Sequence, residues 1–414
     1  MQQVFPYRDG EMFCEGVKLA EIAEACGTPA YVYSSAAILS RFREYDAGFG
    51  ATPHRVCYAV KANSNLAVLA LLKKAGAGFD IVSGGELYRV LQAGGDPAGV
   101  VFSGVGKTRA EMEYALRTGI HGFNAESEAE LEQLDGVARA LGVTARVGLR
   151  VNPDVDAATH PYISTGMREN KFGIDIAEIE RTYAKAAALP GLRPEAVSCH
   201  IGSQMLDTAP MLEALDRVLA LIERLRAAGI PIRELDFGGG LGVAYQPAQV
   251  APDIGLLLGE VCARVAGRGL TVTVEPGRSI VGGAGALLTR VILRKRSQVK
   301  EFVVVDAAMN DLIRPALYQA HHEILPVLAR EGTLQADVVG PVCESGDFLA
   351  RDRAMALVTE GDLLAIGTAG AYGFAQASNY NTRPRAVEVL VEGAAWRVVR
   401  TREVYQDLVR GESL

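Results

Sequence analysis

The 414-residue sequence has a single tryptophan and only six cysteines. Cys14, Cys26, Cys57, Cys199, Cys262 and Cys343 stand far apart, with no CxxC pair and no ligand-like spacing. That scatter argues against a zinc site and against a disulfide framework, and it fits a reducing cytoplasm. No metal is expected. Blocks of one charge are also missing: 42 basic side chains face 49 acidic ones, for a net charge of −7 without long single-sign runs. The electrostatic footprint of a nucleic-acid binder is therefore absent. No uninterrupted apolar run reaches membrane-spanning length, and the opening MQQVFPYRDGEM lacks the basic-then-apolar order of a secretory signal. A cytoplasmic chain without a membrane or nucleic-acid partner is expected. Repeats of solenoid period and low-complexity linkers are lacking too.

What is present describes an ordinary globular protein, 49% hydrophobic and 22% charged. At this length two domains are expected, because one core stops growing before it reaches such a size. From about residue 55 to 280, β-rich runs alternate with amphipathic stretches of helical length. The strands are RVCYAV, GFDIV, VVFSG, IHGFNA, ARVGLRV, EAVSCHI, ELDFGGG and TVTVEPG. Between them lie patterns such as LAVLALLKKAG and MLEALDRVLALIERLRAAG, apolar at helical spacing and closed by glycine. Eight such units predict an α/β fold, a (β/α)8 TIM barrel; the alternative, an open doubly wound sheet, would usually show an early GxGxxG turn, which is missing.

After Arg278 the pattern turns to short β runs with little helix, which predicts a second, mainly antiparallel β-barrel or sandwich domain. PAYVYSSAAI near the N-terminus adds a strand and helix outside the barrel count. The expected division is a barrel over 35–280 and a β domain of 1–34 with 281–414. Residues 152–174 form a long insertion after the fifth strand, read as an ordered flap over the site.

In (β/α)8 barrels the chemistry sits at the C-terminal strand ends, so the residues following each run are the informative ones. They are Lys61, Asp80 and Ser83, Ser103, Asn124 and Glu126, Arg150 and Asn152, His200 and Ser203, Gly238 to Gly240, and Glu275 to Arg278. DFGGGLG at the seventh tip and EPGRS at the eighth sit where such barrels bind phosphate, although a glycine turn alone has the same composition. Lys61 reads either as a solvated strand end or as an amine nucleophile for an aldehyde cofactor such as pyridoxal phosphate. His200 is either a satisfied structural histidine or a neighbour of the cofactor ring. Glu275 either pairs with Arg278 or holds a pyridine nitrogen.

YAVKAN, HIGSQ, DFGGGLG, EPGRSIV, MNDLIRPALYQAHHEI, GPVCESGD and GAYGF...SNYNTRPR together resemble the diaminopimelate decarboxylases, over nearly the whole chain. The lysine, histidine, glycine and EPGR pieces are shared with ornithine and arginine decarboxylases of the same fold. MNDLIRPALY and CESGD are typical of the diaminopimelate branch.

The resemblance implies pyridoxal 5'-phosphate as cofactor and conversion of meso-2,6-diaminopimelate to L-lysine and CO2, the last step of lysine biosynthesis. It implies that Lys61 binds the cofactor as a Schiff base and that His200 lies over its face. Ser203, Gly238, Gly239, Gly240, Glu275, Gly277, Arg278 and Tyr372 would hold phosphate and pyridine. Arg278, Arg314, Tyr318, Glu344 and Tyr372 would hold the substrate, and Cys343 would give the proton. Cys343 and Glu344 would serve the neighbouring subunit, which implies a homodimer with shared active sites. The charges suit that substrate: fixed arginines answer a carboxylate, and an acid answers the distal ammonium.

Overall fold

The computed structural model describes residues 1–155 and 171–414. Its parallel strands are β1 (His54–Ala59), β2 (Gly78–Ile81), β3 (Val100–Phe102), β4 (Gly122–Ala125), β5 (Ala145–Asn152), β6 (Leu192–Cys199), β7 (Glu234–Asp236) and β8 (Thr271–Val274). Each pairs in parallel with its successor, and β8 pairs with β1 through Val272–Val274 against His54–Val56, so the sheet closes. This is the eight-stranded barrel that the alternation predicts. Several strands are shorter than their β-rich runs: GFDIV pairs only to Ile81 and ELDFGGG only to Asp236, where the glycines take over.

Local chemistry sets the helix starts between these strands. Asn65 accepts from Ala67 N–H, Ser83 from Glu86, Ser127 from Glu130 and Asp253 from Leu256, while Thr108 and Glu111 form a reciprocal capping box. Such caps satisfy backbone donors that a helix leaves open, at about 1 kcal/mol each. Gly119 and Gly142 end two of the helices in left-handed conformation.

The chain divides into two compact units. Residues 41–243 and 251–279 make the barrel unit, and residues 1–40, 244–250 and 280–414 make the other. The division falls inside the helix Ser35–Gly48.

The second unit is built on a mixed sheet around Gly285–Arg296. That strand pairs antiparallel with Ala30–Ser34, Glu301–Val305 and Leu363–Ile366. Most pairings in the sheet are antiparallel, as expected. Two are parallel: Glu301–Val305 with Thr333–Val339, and Ala30–Ser34 with Val387–Glu392. Thr333–Val339 and Ile324–Pro326 are strands without a clear period-two signature. The core of this unit gathers Phe5, Met12, Leu19, Ile22, Val32, Leu288 and Val389 from both ends of the chain. Of the expected flap over 152–174, residues 156–170 lie outside the described residues; Ile174–Asp175 adds a short parallel strand to β5. Among the described residues no helix is long and apolar enough to cross a membrane.

Candidate active site

Strand β1 stops at Ala59, and Val60–Ala62 winds into one 3-10 turn that carries Lys61. The Lys61 amine sits 2.5 Å from Asp80 Oδ2 at the end of β2. Asp80 is fully buried, so Lys61 does not end its strand in bulk water. The EPGRS loop lies against the same turn: Pro276 O accepts from Ala59 N–H, and a Cβ on Gly277 would come within 2.9 Å of Ala62 Cβ.

In the same barrel interior Ser103, Asn124, Asp236 and Glu275 form a buried polar network. Asn124 Nδ2 donates to Asp236 Oδ2 at 2.7 Å and lies 3.4 Å from Glu275 Oε1; Ser103 Oγ donates to the same Glu275 oxygen at 3.3 Å. Asp236 and Glu275 also share a hydrogen bond. Burial first, and then the charges of Asp236 and Asp80, push the Glu275 carboxyl well above its ordinary range. Burial raises the Asp236 carboxyl as well. Of the two alternatives for Glu275, the described residues show no ion pair with Arg278, which donates to Ser203 Oγ at 3.1 Å.

Asp236 has a second task. Its Oδ1 accepts from Gly238 N–H at 2.9 Å, which starts the glycine turn. Here glycine is required: a Cβ on Gly239 would lie 2.2 Å from Glu275 O, and one on Gly240, at φ +110°, 2.2 Å from Gly202 O. The backbones following β6, β7 and β8 thus meet in one shelf. Gly239 N–H donates to His200 Nδ1 at 3.2 Å, which leaves the proton of the neutral ring on Nε2. Burial, aided by Arg150 and Lys61, holds His200 well below the usual histidine range and so keeps it neutral. Arg150 in turn donates to His200 O and to Glu126.

The structure thus brings Lys61, His200, Ser203, Gly238 to Gly240, Glu275, Gly277 and Arg278 together in the barrel unit. Arg314, Tyr318, Cys343, Glu344 and Tyr372 belong to the other unit. There Arg314 is buried, with its Cζ 5.0 Å from the centroid of the Tyr245 ring and 5.7 Å from that of Tyr318. Asp347 accepts from Met309 N–H and Val342 N–H, both at 2.7 Å, and so ties the MND and CESGD segments together. Cys343 is exposed and its N–H donates to Asn381 Oδ1 at 2.9 Å, while Glu344 accepts from the Tyr380 hydroxyl. Tyr372 takes a left-handed φ of +53° in the loop after Leu363–Ile366.

Residues 35–282 match the family described as pyridoxal-dependent decarboxylase, pyridoxal binding domain. The whole chain is 59% identical over 411 residues to the diaminopimelate decarboxylase of Pseudomonas aeruginosa, covering 99% of both proteins. It superposes on the M. jannaschii diaminopimelate decarboxylase in co-complex with L-lysine with a TM-score of 0.95, at 36% identity and covering 100% and 98% of the two chains. For the Helicobacter pylori diaminopimelate decarboxylase complexed with L-lysine the TM-score is 0.91, at 42% identity and 94% and 98% coverage. The chain belongs to the diaminopimelate decarboxylase family.

In this diaminopimelate decarboxylase family member, sequence reasoning overlooked Asp236, although it stands inside the quoted DFGGGLG stretch. The available signal was an aspartate at the last position of an otherwise apolar strand. It also passed over Lys107, a fully buried lysine bonded to Gly104 O, Asn124 O and Glu130. That lysine fixes the tips of β3 and β4. Tyr245 and His322 beside Arg314 were missed as well, the first because it lies within the barrel's run of sequence. Burial raises the Glu86 carboxyl to about 7, beside Lys61 and Asp80, which no local pattern suggests.

Proposed function

We propose that this chain removes one carboxylate of meso-2,6-diaminopimelate as CO2 and leaves L-lysine, with pyridoxal 5'-phosphate carried on Lys61. The observation that supports this reading most is the Lys61 amine beside buried Asp80, in the same barrel as the buried, hydrogen-bonded Glu275–Asp236 pair and the glycine turn. The residues suit the cofactor. Ser203, Gly240, Gly277 and Arg278 offer hydroxyl, backbone and guanidinium donors for a phosphate, while Gly238 and Gly239, bonded to Asp236 and His200, shape the turn. The Glu275 carboxyl is matched to a pyridine nitrogen, which it would hold protonated. Among the described residues, the second Asp80 oxygen, Oδ1, is a buried acceptor with no donor. When bound, the cofactor supplies the electron sink that makes loss of CO2 accessible.

The remaining work falls to the chain's own groups. Neutral His200 borders the cofactor face without adding charge. Arg314, with Tyr318 and Tyr372, holds the retained carboxylate, and Glu344 answers the distal ammonium. As the carbon–carboxylate bond breaks, its electron pair stays with carbon; the thiol of Cys343 then gives its proton to that carbon. Exposure of Cys343 on its own chain supports its use by a neighbouring subunit, hence a homodimer. Unpaired cysteines support a cytoplasmic setting.

The test is to incubate the purified chain with pyridoxal phosphate and meso-diaminopimelate and to assay lysine and CO2 together, with ornithine and arginine in parallel. Equal yields of lysine and CO2 are expected. Turnover of ornithine or arginine in place of diaminopimelate, or of none, overturns the reading.

A further inference from the structure

The short helix Arg314–Tyr318 ends at Gln319, whose left-handed φ of +52° turns the chain back, with Ala320 N–H donating to Arg314 O. This reversal returns His322, fully buried, to the first residue of the same helix. Arg314 Nε donates to His322 Nε2 at 3.3 Å, and His322 Nδ1 lies 2.9 Å from Gly367 O. A carbonyl only accepts, so Nδ1 carries a proton; a guanidinium only donates, so Nε2 offers its lone pair. The two contacts together fix one neutral tautomer. The ring is held from other sides as well: its backbone O accepts from Arg353 at 2.7 Å, and its edge meets the Tyr245 ring at 5.2 Å and 77°. Tyr245 also lies beneath the Arg314 guanidinium.

We propose that His322 is a positioning residue for carboxylate recognition. By taking the Nε–H, it orients the guanidinium plane against Tyr245 and leaves the carboxylate of the substrate or product to be read by the terminal Nη groups. This rests on the proposed reading of Arg314 as a carboxylate ligand. A buried arginine aimed by a neutral acceptor loses no net charge, whereas a carboxylate in the place of His322 would neutralise the cation that the ligand needs.

Two substitutions separate the two ends of the ring. His322→Asn keeps a short donor for Gly367 O and loses the acceptor that reaches Arg314. His322→Gln keeps an acceptor at the distance of Nε2 and loses the donor. Calorimetry on the holoenzyme measures L-lysine, with cadaverine as the probe that lacks a carboxylate. The Asn variant is expected to lose lysine affinity about 10- to 100-fold while cadaverine affinity stays within about 2-fold; the Gln variant is expected to lose only a few-fold for lysine. The reverse order, or an equal loss for lysine and cadaverine, assigns His322 a structural role and overturns the proposal. Arg314→Ala separates the two readings. If lysine binding survives that change, the carboxylate role of Arg314 fails and His322 with it. If Arg314→Ala loses lysine and His322→Asn does not, the inference about His322 alone fails.

Discussion

The barrel unit and the β unit hold their candidate site residues by different means. In the barrel, Asp80, Asn124 and Asp236 stand within strands and Ser103, His200 and Glu275 one residue beyond strand ends, so the closed sheet sets their spacing. In the β unit, Arg314 and Tyr318 lie on a single short helix, and Cys343, Glu344 and Tyr372 lie on loops whose shape depends on side-chain anchors such as Asp347 and His322. A repeated scaffold can therefore carry a network of buried acids, and a loop scaffold needs a dedicated anchor for each group. The contrast also follows the chemistry in the main: most barrel groups suit a cofactor and most β-unit groups a substrate, with Arg278 and Tyr372 implied in both.

The comparison is broken most severely at Lys61. Lys61→Ala is expected to abolish turnover, read as lysine formed from diaminopimelate, because among the described residues Lys61 is the amine paired with Asp80. Cys343→Ala, in the β unit, is expected to slow the reaction about 10²- to 10⁴-fold while the cofactor absorbance of the holoenzyme is retained. Cofactor lost along with Cys343 would contradict the division of labour.

Glycine substitutions sharpen the same contrast in stability. Gly240→Ala sets a Cβ against a backbone oxygen at left-handed φ and should cost about 3 kcal/mol or more in denaturant unfolding. Gly393→Ala, also at positive φ (+64°) but with open space around it, should cost only about 1 kcal/mol.

The smallest expected effect is a pH slope. Because the folded-state pKa of Glu275 is raised, its neutral form is favoured by folding; this contribution is intact below the unfolded carboxylate range and declines as pH rises toward the folded value. Glu275→Gln should remove up to about 1.4 kcal/mol per pH unit of that decline above pH 5. Thermal melts of the cofactor-free protein from pH 5 to 8 would measure it. Glu86 and Asp311, both raised to about 7 by burial, contribute declines of the same sign in both proteins, so the difference reports Glu275 together with Asp236, the raised carboxyl bonded to it.

The barrel was legible because eight apolar runs recur with helices between them, and a period of that kind survives without knowledge of long-range contacts. The tips were legible for the same reason: once Lys61 ends one strand and Glu275 follows another, closure brings them to one mouth. Asp236 was not legible, since an aspartate before glycine reads as turn chemistry, and its bond to Glu275 joins residues 39 apart in the chain. In the β unit, Thr333–Val339 escaped because its apolar residues do not alternate cleanly, and its neighbours are fixed by pairing rather than by pattern. His322 was quoted within a motif, yet its role depends on a reversal at Gln319 that composition does not announce.

The central claim is that Lys61 carries the cofactor at the mouth of the barrel. Its most direct test is borohydride reduction of the purified protein after addition of pyridoxal phosphate, followed by mass mapping of its peptides. One stable adduct is expected, on the peptide containing Lys61. An adduct confined to other lysines, or none, would contradict it.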